Sequence, residues 1–401
     1  MRLMLVTAGS RGDVEPFVAL ARRARDAGHE VRLAIPDNSG APLHGLDAVS
    51  LGADFSQLIQ AQGVSALQAA RSFSTVVKPT MRAVLVNTVS EAMAFSPDVI
   101  VYHPKILSAP FAADRLGIPH ILVEIVPAVT PTREFPAPGT VPFRVRPLNR
   151  LSYGAASLAS RMFSAELAEA RALAGSGAGR GSHHVASLVP VSPLILPRPR
   201  DWPADVHITG AWRSSDPSGP VDERVTEFLD GGPVVYAGFG SMVLGDPRAR
   251  ARVILNAARM RGVRVLLATG LGGLAPDDDL ASDDVLVVPA VDHAQVLPRT
   301  VAAIHHGGSG TVHAAARAGA TSIVVPFFAD QPFWGALLHR SGLAPSPIPQ
   351  RRLSADRLAA ALDAVPASAD RVAEVAAAMQ SEDGAGVALE LVERYASRGR
   401  N

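Results

Sequence analysis

The residues best spaced for chemistry are His305-His306-Gly307-Gly308-Ser309-Gly310-Thr311, with Asp330-Gln331 a little further on. They follow the apolar run Val301-Ala302-Ala303-Ile304, which predicts a buried strand. The glycines allow a sharp turn and close approach of backbone to a ligand, and Ser309 or Thr311 can cap the alanine-rich helix predicted next. A strand running through small residues into a helix presents free N–H groups at the positive end of a dipole, which suits an anion. No Gly-Lys-Ser/Thr follows, and the spacing is not Gly-x-Gly-x-x-Gly, so neither a Walker loop nor the dinucleotide fingerprint fits. An imidazole from His305 or His306 can instead supply a donor to a diphosphate. The same residues also read as a capped helix with two structural histidines.

A second group lies near the start. Asp13, in Gly9-Ser10-Arg11-Gly12-Asp13, sits between an apolar run and a helical pattern, where a carboxylate serves either as helix N-cap or as general base. A third, Gly238-Phe239-Gly240-Ser241-Met242, repeats the strand-then-glycine theme and offers Ser241 as a hydroxyl donor to phosphate. Other combinations fall away. Asp277-Asp278-Asp279 follows glycines and a proline and reads as a solvated turn. His183, His184 and His313 complete no zinc spacing with His305 or His306, so no metal site is expected. None of the hydroxyls stands in a Gly-x-Ser-x-Gly elbow, which argues against a hydrolase nucleophile.

The elements that must position these groups alternate. Residues 3–7 read as a strand, 14–27 as a helix with Pro16 in its first turn, and 29–35 as the next strand: a β-α-β opening that implies a parallel sheet. Helices are expected at 64–73 and 76–94, and strands at 99–102 and 121–123. From 127 to 150 the pattern dissolves into prolines and arginines, a long loop open to solvation, acceptor binding or contact with a membrane surface. Residues 153–174 regain helical character. Proline and serine clusters at 197–203 and 214–220 read as linker, after which 233–237 reopens as a strand, 249–261 as a helix and 263–268 as a strand. Strands at 285–288, 301–304 and 321–326 and a helical end from 353 to 396 complete two similar nucleotide-fold halves. A ligand is expected at the carboxyl ends of their strands.

The chain has 401 residues, 48% of them hydrophobic and 19% charged, which is enough core for two globular domains. A net charge of +1 gives no reason to expect nucleic acid, and the absence of cysteine excludes disulfide and thiolate chemistry. The apolar start is too short for a secretory signal, and no apolar run approaches the roughly 20 residues of a membrane span. A cytoplasmic protein is expected.

Gly9-Ser10-Arg11-Gly12-Asp13-Val14-Glu15-Pro16, Gly210-Ala211-Trp212, Gly238 to Met242, His305 to Thr311 and Asp330-Gln331-Pro332, in this order, resemble the GT-B natural-product glycosyltransferases of family 1. The vancomycin-type glycopeptide and macrolide enzymes are the nearest, beside relatives acting on sterols and flavonoids. The resemblance spans nearly the whole chain and is weak at 56–98 and 165–195. It implies an α/β GT-B fold, two Rossmann-like parallel-sheet domains facing across a cleft. Residues 1–203 would bind the acceptor and 204–369 the donor, with a final helix in 370–401 crossing back. It implies inverting, metal-independent transfer of a hexose or deoxyhexose from a UDP- or TDP-sugar to a hydroxyl of a hydrophobic aglycone, without a cofactor. By resemblance, His306, Gly308, Ser309, Gly310 and Thr311 hold the diphosphate, joined by Ser241 and Ser10. Asp330 and Gln331 bind sugar hydroxyls, and Asp13 deprotonates the acceptor. Plant relatives carry a histidine at the position of Asp13 and an aspartate near that of His103, so contact between His103 and Asp13 is left for the structure to answer. Two rival readings stand: a sterol or lipid glycosyltransferase at a membrane surface, and a non-catalytic homologue that binds nucleotide sugars.

Overall fold

The computed structural model describes residues 1–55, 73–140, 146–154, 160–175, 184–213, 222–240, 242, 244–276 and 282–398. Its contacts divide the chain into two units, Met1–Pro193 with Pro197–Ser215 and Asp383–Asn401, and Leu194–Leu196 with Asp216–Glu382. Apart from the short excursion at Leu194–Leu196, the chain passes between units after Ser215 and after Glu382; the sequence reading put these boundaries at 203 and 369.

Unit 1 is built on a seven-stranded parallel sheet of β1 (Arg2–Val6), β2 (Glu30–Asp37), β3 (Asp47–Asp54), β4 (Val99–Tyr102), β5 (His120–Val123), β6 (His184–Val189) and β7 (Val206–Ile208), ordered β3-β2-β1-β4-β5-β6-β7. Its strands are apolar on both faces because helices cover both. Leu3 and Leu5 of β1 enter one core layer, while Met4 and Val6 enter the other. The first layer is closed by α1 (Arg11–Asp26), the second by α2 (Lys78–Phe95), α3 (Ala109–Leu116) and α4 (Ser164–Ala174).

Unit 2 repeats the plan with a five-stranded parallel sheet of β8 (Val234–Gly238), β9 (Arg264–Ala268), β10 (Val285–Val288), β11 (Ala302–His305) and β12 (Thr321–Val324), ordered β10-β9-β8-β11-β12. Val235 and Ala237 face one core, Val234 and Tyr236 the other. Its helices are α5 (Glu223–Asp230), α6 (Pro247–Arg261), α7 (His293–Val296), α8 (Ser309–Ala318), α9 (Gln331–Arg340), α10 (Ala355–Asp363) and α11 (Pro366–Met379). The last helix, α12 (Gly384–Arg398), belongs to unit 1, where Ala388, Leu389 and Val392 join the core of β1 and α1. Arg23 donates to Asp383 at 2.9 Å, and the His29 and Glu393 side chains meet at 2.7 Å.

In each sheet the strand order reverses once, between β1 and β4 in unit 1 and between β8 and β11 in unit 2. At such a point the loops leave the two central strands in opposite directions and open a crevice at their carboxyl ends.

Several expectations needed correction. α1 starts at Arg11 instead of residue 14, so Pro16 stands in the second turn. The helical end is broken into α10, α11 and α12. The strands β3, β6 and β7 and the helices α3, α5, α7 and α9 were not foreseen. The helix expected at 64–73 lies outside the described residues but for Phe73, which begins a π turn, and His183 and Asp277-Asp278-Asp279 lie outside them altogether. Among the described residues no helix is long and apolar enough to cross a membrane.

Candidate functional site

In unit 1 the loop leaving β1 becomes α1, and the loop leaving β4 carries His103-Pro104-Lys105. Ser10 is the N-cap of α1, and Asp13 lies three residues beyond it, so the N-cap role read for Asp13 belongs to Ser10. The Asp13 Oδ2 accepts from the Ser10 backbone N–H at 2.7 Å and from its hydroxyl at 3.0 Å. Oδ1 faces the Lys105 ammonium at 3.1 Å and His103 Nε2 at 3.4 Å. His103 Nδ1 accepts from the Lys105 backbone N–H at 3.2 Å, which leaves the ring proton on Nε2, directed at Asp13. The open question is thereby answered: His103 and Asp13 touch.

The electrostatics follow from this geometry. Burial alone would raise the Asp13 carboxyl, but the Lys105 charge and the His103 hydrogen bond outweigh it and hold Asp13 well below the usual carboxylate range. Burial depresses His103 more than Asp13 lifts it, so the imidazole is neutral at pH 7. Gly9, at φ +137°, leaves the space this arrangement needs, since a side chain there would strike the Asp13 carboxylate and Lys105. Of the two, Asp13 is the more accessible, with 21% of its side chain exposed against 9% for His103, both of whose ring nitrogens are engaged.

In unit 2 the crevice is formed by the loops after β8 and β11. His305 ends β11 with no exposed surface, and its Nδ1 accepts from Gly307 N at 3.1 Å. It is a core histidine, pushed down to about 3 by burial and by its neighbours His306 and His293. His306 is half-buried, and burial with the His293 charge lowers it to about 4, so it too is neutral. Its Nε2 lies against the start of α8, 2.6 Å from where a Cβ on Gly308 would sit. Gly307 makes the turn at φ +90°.

The sequence allowed Ser309 or Thr311 as the cap of α8. The N-cap is Gly308, which has no side chain, and both hydroxyls sit inside the first turn. In unit 2 the helices α8, α9 and α11 have no side-chain cap, whereas others do. Asp222 caps α5, Asp246 caps α6 and Ser354 caps α10 through their own side chains. The first turn of α8 therefore presents the N–H groups of Ser309, Gly310 and Thr311 together with two hydroxyls, a donor array suited to phosphate oxygens. His313, considered earlier as a metal ligand, donates Nδ1–H to the Ser309 carbonyl at 2.7 Å and stacks edge-on against Trp334. Ser241 lies outside the described residues.

Asp330 immediately precedes α9, after Ala329 in a left-handed conformation at φ +56°. Its Oδ2 accepts from the Trp334 indole N–H at 2.7 Å, a signal that the spacing of four on one helix face could have disclosed. Gln331 is buried. Its Oε1 accepts from Phe327 N at 2.8 Å, and its amide donates to Met242 Sδ at 3.4 Å, so the side chain ties its own loop to the loop after β8. Sequence reading missed Lys105 and Arg250. Lys105, two residues past His103 at the carboxyl end of a central strand, was accessible to it.

Comparison with known proteins adds the lineage. Residues 3–135 match the glycosyltransferase family 28 N-terminal domain, and residues 275–394 match the erythromycin biosynthesis protein CIII-like C-terminal domain. The chain is 34% identical to O-mycaminosyltylonolide 6-deoxyallosyltransferase of Streptomyces fradiae over 99% of this chain and 98% of that one. It is 33% identical to vancomycin aglycone glucosyltransferase of Amycolatopsis orientalis, covering 99% and 98%. A sterol 3-beta-glucosyltransferase of Arabidopsis thaliana is 29% identical over 98% of this chain, which spans 68% of that longer protein. Among solved structures, the glycosyltransferase of kitacinnamycin superposes with a TM-score of 0.71 at 21% identity, covering 98% of each chain. VinC in complex with DTDP gives 0.67 at 20%, covering 99% of this chain and 100% of that one. The paired parallel sheets are thus the GT-B fold. The chain belongs to the family 1 glycosyltransferases of that fold, related to those of macrolide and glycopeptide antibiotics and of sterols.

Proposed function

We propose that this glycosyltransferase moves a hexose or deoxyhexose from a UDP- or TDP-sugar to a hydroxyl of a hydrophobic natural-product aglycone, with inversion and without a metal. The observation that carries the reading is the uncapped start of α8. Cleaving the sugar–phosphate bond leaves an extra negative charge on the departing diphosphate, which donors already in place must meet. A helix N-terminus supplies roughly half a positive charge, and removing one such donor typically lowers a rate by about 10²–10³. In this reading Ser309, Gly310, Thr311 and Gly308 hold the diphosphate through backbone and hydroxyl groups. His306 donates one N–H, and Ser10 and Ser241 add hydroxyls.

In the chemical step the acceptor oxygen bonds to the anomeric carbon as the bond to phosphate breaks, and the acceptor proton passes to Asp13. His103 keeps the carboxylate ionised and aligned through its Nε2–H. A carboxylate held at low pKa takes the proton late, when the bond forming to carbon has made it acidic. Asp330 accepts from sugar hydroxyls while anchored by Trp334, an arrangement that leans toward a donor with free C3 and C4 hydroxyls. Gln331, expected beside it as a second sugar contact, is buried with both ends of its amide engaged and braces the loop that carries Asp330. The names of the relatives fit the proposal: one transfers a deoxyallosyl group, one glucosylates the vancomycin aglycone, and VinC was solved with DTDP.

The test is a panel of UDP- and TDP-sugars against an aglycone library, read by mass shift. A glycosylated product with release of nucleoside diphosphate is expected; nucleotide binding without transfer to any acceptor would favour the non-catalytic homologue. One observation keeps the membrane-surface reading in play: Leu148 and Leu151 are 53% and 74% exposed on a short turn that also carries Arg146 and Arg150. Flotation with liposomes decides it, since an enzyme for freely dissolved aglycones stays at the bottom of the gradient.

A further inference from the structure

Arg250, on the second turn of α6, is 3% exposed, and among the described residues no carboxylate pairs with it. Its guanidinium donates to the carbonyls of Met242 at 3.2 Å, Leu244 and Gly273, and it lies over the rings of Phe327 and Phe239 at 4.7 and 5.4 Å. Its Nε has no partner. Asp246, the nearest acidic influence, is an exposed cap whose Oδ1 accepts from Arg248 N and Ala249 N. Among the described residues the cation is solvated by carbonyl dipoles and faces only the distant field of Asp246, an arrangement that an anionic ligand would stabilise.

The contacts form a closed circuit. Arg250 holds the Met242 carbonyl; Met242 Sδ accepts from the Gln331 amide; Gln331 Oε1 accepts from Phe327 N; and the Phe327 ring returns to the guanidinium. Two loops meet in this circuit, the one after β8 and the one that delivers Asp330 to the start of α9.

We infer that Arg250 is a positioning residue for the donor: it locks these two loops into one cradle and adds a buried positive charge that no carboxylate among the described residues pairs with. The inference rests on the reading that a nucleoside diphosphate docks on unit 2. Arginine suits the task because its rigid planar fork holds well-separated carbonyls in fixed directions, whereas a lysine offers three donors on a single compact atom.

The experiment compares wild type with Arg250→Met and Arg250→Lys in the full chain. It uses calorimetric binding of UDP and TDP, thermal melting with and without nucleotide, and separate KM values for donor and acceptor. The wild type must first bind a nucleoside diphosphate; failure there overturns the site reading and this inference with it. Given binding, Arg250→Met is expected to weaken it about tenfold or more, as when a buried charge facing an anionic ligand is lost. The donor KM should rise while the acceptor KM holds, and Arg250→Lys should recover part of the affinity. A purely structural arginine would lower the nucleotide-free melting temperature in both variants while leaving their diphosphate affinity at the wild-type value, and that result overturns the inference. Should Arg250→Met fail to fold, Arg250→Lys decides alone: it must bind nucleoside diphosphate measurably more weakly than wild type or the inference is wrong.

Discussion

Asp13→Asn separates the two roles a carboxylate at this position can have. In the structure its oxygens meet four donors: the Ser10 backbone N–H and hydroxyl, His103 Nε2–H and the Lys105 ammonium. Asparagine keeps the shape and one accepting oxygen for Ser10, but it turns an amide toward His103 and Lys105. Lys105 is 42% exposed and can turn to water, so its lost pairing costs at most about 1 kcal/mol. The buried His103 N–H cannot turn away, and an unmatched buried donor costs about 1–3 kcal/mol. Stability should therefore fall by about 2–3 kcal/mol at pH 7, and most molecules should still fold. Because the Asp13 carboxyl is depressed in the folded state, its contribution is fully present above the unfolded value near 4 and fades as pH falls toward the folded value. The stability gap between wild type and variant should be constant from about pH 5 to 8 and shrink below about pH 4. The rate is a separate matter. A positioned base contributes about 10²–10⁴, or about 2.7–5.4 kcal/mol of barrier. Single-turnover release of nucleoside diphosphate at saturating donor and acceptor should slow by that factor while donor affinity by calorimetry stays the same. If the folded variant turns over within a few-fold of wild type with donor binding intact, Asp13 only braces the helix start and the base assignment fails.

Three further outcomes follow from single contacts. At 3.1 Å and with the water-like screening appropriate to a half-exposed lysine, the Lys105 charge acts on Asp13 with about 1.3 kcal/mol, so Lys105→Met should move the acid limb of kcat/KM upward by about one pH unit; an unmoved limb would show that Lys105 does not set the basicity of Asp13. Gly307→Ala demands a left-handed alanine, worth about 1–2 kcal/mol, and drives a methyl to within 2.6 Å of Val324 Cγ1, so both the melting temperature and nucleotide affinity should drop; wild-type values for both would mean the turn relaxes freely. Glu124 is buried, and desolvation raises its carboxyl despite hydrogen bonds from Val129 N and Thr130, so the folded protein loses stability as pH rises through that raised value. Glu124→Gln, which can keep those contacts as a neutral isostere, should therefore melt above wild type at pH 8 and level with it near pH 4, and the opposite trend would refute this account.

What could be read in the sequence was whatever depended on near neighbours. β1 and β11 announced themselves because strands covered on both faces must be apolar throughout, and the glycines after them marked backbone turns. The alternation of strand and helix then implied parallel sheets, and with them the carboxyl-end location of Asp13 and of the His305 to Thr311 loop. β3 was obscured because Asp47–Asp54 mixes charged and small residues around Gly52, and only Leu51 and Ala53 are driven inward. α9 was obscured because Pro332 in its first turn looks like a loop residue. The choice between His305 and His306 was likewise beyond local reasoning. Adjacent residues leaving a strand point to opposite sides, and it is the core beneath β11 that takes His305 and leaves its neighbour at the helix start.

The same logic separates the side chains that can meet a ligand from those that aim them. Asp13, Asp330 and the first turn of α8, which we propose meet the ligand, drew attention in the sequence because chemistry restricts such positions to a few residue types. Lys105 and Arg250 acquire their roles through partners far away in the chain, Lys105 through Asp13 and Arg250 through Gly273 and Phe327, and Gln331, named from the sequence as a sugar contact, is instead tied to Met242. An arginine in a basic helix has no local signature, because it is also an ordinary surface residue, and Lys105 was marked only by its place at the carboxyl end of a central strand. Burial makes the difference. Once Arg250 lies buried against two phenylalanines, or Gln331 has both ends of its amide engaged inside unit 2, solvent can no longer satisfy it, and its geometry becomes a condition on the loops it joins. Substitutions at these hidden positions should accordingly disturb donor binding with little change in what the acceptor meets, the reverse of what is expected around Asp13.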